Sequence, residues 1–175
     1  MKTRLLIVLA AVLALLAGVA VRMQQARLEQ PATLSAELQF RFPDVKGQPQ
    51  SVSQWRGKIL VLNFWATWCP PCLKEIPEFM QWQQEFAAKG VQFVGIALDE
   101  QQAVADYLQE SPVNYPMLVA GDAGSVLARQ LGNIINAVPF TVIIDSRGQI
   151  VHRQPGEMRR EEFLRVVRPL LAAND

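Results

Sequence analysis

The chain has 175 residues, with 17 lysines and arginines against 16 aspartates and glutamates, one histidine and two cysteines. At roughly 100–200 residues per domain, that length holds one domain with an appendage. Half the residues are hydrophobic and 19% are charged, which excludes a disordered polymer. Four of the basic residues and one of the acidic ones precede Pro31, leaving 13 against 15 beyond it, so the body of the chain offers no basic surface to nucleic acid. One histidine and two cysteines are too few for a structural zinc site or for a disulfide framework, so the cysteines are expected to act on each other.

Leu5 through Val21 is an unbroken run of 17 apolar or small residues, opened by Lys2 and Arg4 and closed by Arg22. A surface helix would show polar positions at every turn, and this run has none. Residues 1–22 therefore read as a membrane anchor or a signal peptide. The length approaches the ~17–25 residues that span a bilayer and favours an uncleaved anchor, while Gly18 and Ala20 would suit a signal cleavage. The terminal amine, Lys2 and Arg4 favour a cytoplasmic start, against Arg22 and Arg27. Both readings export the domain to the outer side of a bacterial inner membrane. Residues 23–36 carry no strong apolar stripe and read as a linker, leaving 37–175 as the domain.

Within it, Gln39–Gln54 alternates apolar and polar residues around Lys46-Gly47 and predicts a hairpin. Ile59–Trp65 (ILVLNFW) predicts a central strand buried on both faces. A helical pattern follows Cys69 to Lys89, closed by Gly90. Val91–Leu98 predicts a second buried strand, Gln101–Gln109 a helix, Tyr115–Val119 a short strand and Ser125–Leu131 a helix stopped by Gly132. Phe140–Asp145 and Ile150–Arg153 predict two strands joined through Ser146-Arg147-Gly148, and Arg159–Leu171 a closing amphipathic helix. Strands alternating with helices imply an α/β fold with a mixed central sheet flanked by helices, its late hairpin supplying an antiparallel edge.

Cys69-Pro70-Pro71-Cys72 follows the central strand and opens a helix. Cysteines three apart at a helix start can reach disulfide distance without distorting the backbone. At the N-cap, the Cys69 sulfur meets unsatisfied N–H groups and the positive end of the helix dipole, which favours its thiolate. Such pairs lower a thiol pKa from about 8.5 to between roughly 3.5 and 7. Cys69 is thus expected to be the exposed attacking nucleophile, and Cys72, one turn inward, to resolve the mixed disulfide. The two prolines fit the first helical turn and remove two potential donors to the sulfur. The nearest remaining donors are the N–H groups of Cys72 and Leu73, a weaker stabilisation of the thiolate that disfavours the reduced form and so favours a reducing protein. His152 lies far away on a predicted strand, and no metal site is expected.

NFWATWCPPCLKEIP (Asn63 to Pro77) resembles the active-site segment of the thioredoxin superfamily. With the apolar amino-terminal run, the FPDVKGQPQSVSQWRGK lead-in and VPFTVIIDSRGQIV, the chain is similar to its TlpA/ResA branch of membrane-tethered thiol–disulfide oxidoreductases, over about Phe40 to Arg168. That resemblance implies a thioredoxin-like fold and makes Pro139 a cis-proline opposite the cysteines. It also implies that the Val138 backbone pairs with an extended substrate segment. Pro77 matches the proline that kinks the active-site helix. Thioredoxin itself keeps a buried aspartate where this chain has Asn63, and an amide cannot take a proton from Cys72. Glu75, where the branch keeps an acidic residue, could take it instead, directly or through water; the alternative is a solvated glutamate without a role. Trp68 is expected on an apolar docking surface and Trp65 in the core.

The leading expectation is an exported reductase without a cofactor, a monomeric domain. It would be fed by a membrane electron donor and act on disulfide-bearing client proteins, which in that branch include apocytochrome c and copper-site proteins. A disulfide-forming oxidase uses the same fold, and the potentials span about 150 mV. A copper carrier would use the same thiols as soft ligands but lacks a third ligand nearby. A peroxidase would need a different local cysteine motif.

Overall fold

A computed structural model of the chain describes residues 15, 17–19, 22 and 38–173. The chain divides between Thr33 and Leu34 into two units. The expected anchor or signal at 1–22 and linker at 23–36 lie outside the described residues, apart from the few just given. Among the described residues, no helix is long and apolar enough to cross a membrane.

The second unit opens on two short antiparallel strands, β1 (Arg41–Pro43) and β2 (Pro49–Ser51). Their turn is closed by Asp44, whose Oδ1 accepts the N–H groups of Lys46 and Gln48, each at 2.9 Å. A 3-10 turn over Val52–Trp55 leads to β3 (Ile59–Trp65), in which every residue is buried. Strands β4 (Val91–Ala97), β5 (Met117–Val119), β6 (Phe140–Ile144) and β7 (Ile150–Pro155) complete a sheet ordered β5-β4-β3-β6-β7. β3, β4 and β5 run parallel, and β6 and β7 are antiparallel to their neighbours. Burial on both faces explains why ILVLNFW shows no alternation.

Helices α1 (Pro70–Phe86), α2 (Gln101–Glu110), α3 (Gly121–Gln130) and α4 (Arg160–Ala172) cover the sheet. On one face, Ile76, Phe79 and Trp82 of α1 and Phe163 and Val167 of α4 pack against Val61, Trp65 and Phe93. On the other, Leu127 and Ala128 of α3, with Leu38, Phe40 and Trp55 of the lead-in, cover Leu62, Phe64 and Ile96.

The structure departs from the sequence reading mostly at ends. α1 tightens to a 3-10 turn at Ala87–Lys89 before Gly90, whose φ of +85° suits the expected cap. α3 starts at Gly121 rather than Ser125, because Gly121-Asp122-Ala123-Gly124 reads as loop by composition and is recruited by packing. A Cβ on Gly124 would come within 2.6 Å of the Leu98 side chain, so the glycine permits close helix–sheet contact there. β5 begins at Met117, after Pro116, rather than at Tyr115. β7 continues past Arg153 to Pro155.

Candidate active site

β3 delivers the chain into a short turn that Asp99, beyond the end of β4, holds in place. The Asp99 carboxylate accepts the Thr67 N–H at 3.0 Å and the Thr67 hydroxyl at 2.6 Å. Burial pushes that carboxyl upward, but the bonds from Thr67 and the Glu100 N–H outweigh it and keep Asp99 below the usual carboxylate range. Cys69 then caps α1, with Pro70 and Pro71 in the first two helical positions. Cys69 and Cys72 form a disulfide, with Cα atoms 5.3 Å apart.

Of the two donors expected at the Cys69 sulfur, the structure supplies one. The Cys72 N–H meets Sγ at 3.3 Å, whereas the Leu73 N–H turns to the Cys69 carbonyl at 3.2 Å. The expected exposure of Cys69 is not met. The residue is 3% exposed and Cys72 is fully buried, because each sulfur is bonded to the other and both lie in the core beneath α1. The exposed group beside them is Trp68, at 64%, while Trp65 is buried.

Glu75 lies one turn beyond Cys72 and is 4% exposed, so it is not the solvated glutamate that remained open. Oε1 accepts the Met158 N–H at 2.7 Å and Oε2 accepts Asn63 Nδ2 at 3.1 Å. Burial raises its pKa to about 7. The two hydrogen bonds lower it and the negative charges of Glu157 and Glu78 add to the rise. Asn63 Nδ2 also meets Thr141 Oγ1 at 3.1 Å, across the β3–β6 pairing.

The Val138–Pro139 peptide is cis. Pro139 is buried, with its carbonyl taken by the Gly156 N–H at 2.8 Å, and half-buried Val138 packs on the cluster that holds both cysteines. The preceding loop is clasped by buried Asn133, which donates to the Ala137 carbonyl at 2.8 Å and accepts the Ala137 N–H at 3.0 Å. The loop leaves Ile134 and Ile135 exposed. Pro77 sits inside α1 on its exposed side, where its ring meets solvent and not the core. Among the described residues, no group of three or more His, Cys, Asp or Glu side chains could hold a metal ion.

Sequence reasoning passed over Thr141 and Asp99. Thr141 had a readable signal, a hydroxyl in the otherwise apolar FTVII, and so had Asp99, a carboxylate just past a buried parallel strand. The Met158 N–H has none, since every residue but proline carries one.

A helix-capping disulfide at the end of a central strand, a cis-proline segment and a mixed sheet flanked by helices define a thioredoxin-like redox domain. Solved structures agree. A thioredoxin-family thiol:disulfide interchange protein from Chlorobium tepidum superposes with a TM-score of 0.69 at 30% identity, covering 81% of this chain and 97% of its own. The MTB dsbF protein, solved in mixed oxidised and reduced forms, gives 0.67 at 32% identity, covering 79% and 99%. The thiol-disulfide oxidoreductase ResA of Bacillus thuringiensis is 31% identical over 134 residues, 74% of this chain and 75% of its own length. The Redoxin family matches residues 32–167, and the chain belongs to that family as a TlpA/ResA-like member of the thioredoxin superfamily.

Proposed function

We propose that this chain is an exported reductase of protein disulfides, its domain 37–175 held at the outer face of a bacterial inner membrane by residues 1–22. The chain is a thiol–disulfide oxidoreductase. The observation that carries the finer reading is the Cys69–Cys72 pair at the mouth of α1 with a buried carboxyl one turn below.

In the reduced protein, the Cys69 thiolate attacks one sulfur of a client disulfide. The client S–S bond breaks, one client sulfur leaves as thiolate, and a mixed disulfide remains. Cys72 then gives its proton to the Glu75 carboxylate and attacks Cys69 Sγ. The second client sulfur leaves, and the Cys69–Cys72 disulfide forms. A Glu75 pKa of about 7 matches this task, since a general base works best near the ambient pH. The Val138 backbone beside Pro139 receives an extended client segment as an added strand, and Trp68 gives that segment an apolar surface. The clients that suit this branch are cysteine pairs of cytochrome c or copper-site proteins awaiting their cofactor. A dithiol donor in the membrane restores the reduced pair.

The test is the equilibrium of the Cys69–Cys72 pair with glutathione. A potential near about −270 mV supports the reductase, and one near about −120 mV makes the protein an oxidase instead. Absence of reversible exchange would leave only a carrier of soft metal ions. Cys72→Ser, mixed with an oxidised client, should accumulate the mixed disulfide through Cys69.

A further inference from the structure

Four buried side-chain polar atoms among the described residues have no hydrogen-bond partner: Asn63 Oδ1, Trp65 Nε1, the Tyr115 hydroxyl and His152 Nε2. His152 lies on the edge strand, 3.5 Å from Glu162. The other three stand apart from it. Asn63 and Trp65 project from the same face of β3, and Trp65 and Tyr115 belong to the buried cluster that includes both cysteines. Unpaired polar atoms are scarce in protein interiors, and an unmet acceptor costs its full desolvation.

Asn63 shows what this one is kept for. Its Nδ2 meets acceptors on two sides, Glu75 Oε2 and Thr141 Oγ1, which anchors the amide. Its Oδ1 is left without a donor. Gly95, its neighbour on the β4 side, brings no side chain, and the Gly95 N–H is committed to the Pro116 carbonyl at 2.9 Å. Cys72 lies one turn from Glu75 on the buried face of α1. In the disulfide state, Cys72 has no hydrogen to give. Reduction changes this: the S–S bond breaks, two electrons arrive from a dithiol that becomes a disulfide, and Cys72 Sγ takes a proton while Cys69 leaves as thiolate.

We propose that Asn63 is a positioning residue of the redox reaction: its side-chain oxygen accepts the hydrogen bond of the Cys72 thiol, directly or across one water, and is satisfied only when the disulfide is reduced. This rests on the reading of Cys72 as the inner partner of the redox pair. Because the bond exists in only one redox state, it stabilises the dithiol and makes the protein easier to reduce. The bonds from Nδ2 persist in both states and cancel.

The test uses the full chain equilibrated with glutathione. Asn63→Leu, which keeps the branched heavy-atom skeleton and loses the amide, should be about tenfold harder to reduce than the wild type, a shift of about 30 mV toward more negative potential. A purely structural role would destabilise both redox states equally and leave the equilibrium unmoved. A second measurement needs no variant at Asn63: its Cγ resonance should shift between the oxidised and reduced wild type and stay at the oxidised position in Cys72→Ala. An Asn63→Leu equilibrium within twofold of a reversibly exchanging wild type overturns the inference and leaves the redox pair intact, as does an unmoved Cγ resonance. A wild type that does not exchange with glutathione overturns both. Should Asn63→Leu not fold, the Cγ comparison decides.

Discussion

The two faces of β3 are built for different purposes. Leu60, Leu62 and Phe64 enter an apolar cluster covered by α3 and the lead-in. Asn63, two residues from Val61 and from Trp65, enters the opposite layer, where it meets Glu75 and Thr141. One strand thus packs an apolar cluster on each side, and on one side alone a buried polar group is set among it. A carboxyl pushed up to about 7 is a poor way to hold a fold together. Its place beneath Cys72 makes sense as chemistry, and the apolar side chains packed on both faces of the strand supply the stability that this arrangement costs.

The sharpest way to separate the faces is to damage each in turn. Cys69→Ser should abolish disulfide exchange with client and glutathione alike while the protein stays folded. The readouts are a thiol-exchange assay and thermal unfolding under reducing conditions, where the disulfide contributes nothing. Phe64→Ala, on the apolar face, should do the reverse. It deletes a fully buried ring that packs on Phe140 at 5.8 Å between centroids, and should cost about 3–5 kcal/mol in denaturant unfolding. The glutathione equilibrium of the folded fraction should stay within about twofold, since no atom of that ring enters the polar layer. A large redox shift in Phe64→Ala would show that the two faces are coupled.

Glu75→Gln breaks the comparison on the polar side alone. The folded pKa, about 7, lies above the ordinary 4.5, so the neutral carboxyl is the form the fold prefers. That stabilisation is fully present below about pH 4.5 and is lost as pH rises toward and through 7. A shift of this size corresponds to about 3 kcal/mol. The groups facing Glu75 are Glu78 on its own helix, Glu157 ahead of α4, which pairs with Lys74 at 3.3 Å, and the buried Tyr115 phenol. Wild-type stability should therefore fall between about pH 4.5 and 7 in a way that Glu75→Gln does not. The rate of the resolving step should also lose its pH dependence near 7. Parallel stability curves for the two proteins would remove Glu75 as the titrating group.

Much of this was legible in the residues, and the gaps have physical causes. The ILVLNFW strand and the CPPC cap could be placed because burial on two faces and a helix start leave local patterns. The start of α3 could not, because Gly121-Asp122-Ala123-Gly124 has a loop's composition and only the close approach of Gly124 to Leu98 and Ile96, from elsewhere in the chain, ties it to the sheet. Glu75 was visible as a candidate. Its burial was not, since the groups that enclose it, the Met158 N–H and the Asn63 amide, come from distant parts of the chain. Exposure of Cys69 was misjudged for a related reason: a helix N-terminus is usually wet, and here the sulfur is turned into the cluster beneath α1 by its bond to Cys72.

The buried cysteines put the weight of client recognition on what surrounds them, and there the smallest effect is expected. Trp68 is 64% exposed beside a sulfur pair that is nearly closed off. A large ring left in water adjacent to a reactive bond gains nothing for the fold, but a docked polypeptide would bury it. Trp68→Ala should leave unfolding free energy within about 0.5 kcal/mol. Glutathione, which has no large apolar side chain to lay on the ring, should exchange at the wild-type rate. Exchange with a folded or peptide disulfide should slow several-fold, as loss of about 1 kcal/mol of aromatic contact requires, and the loss should appear in KM rather than in kcat. Equal losses with glutathione and with a polypeptide substrate would mean that the ring shapes the sulfur site itself, and the rim would then belong with the polar layer beneath it.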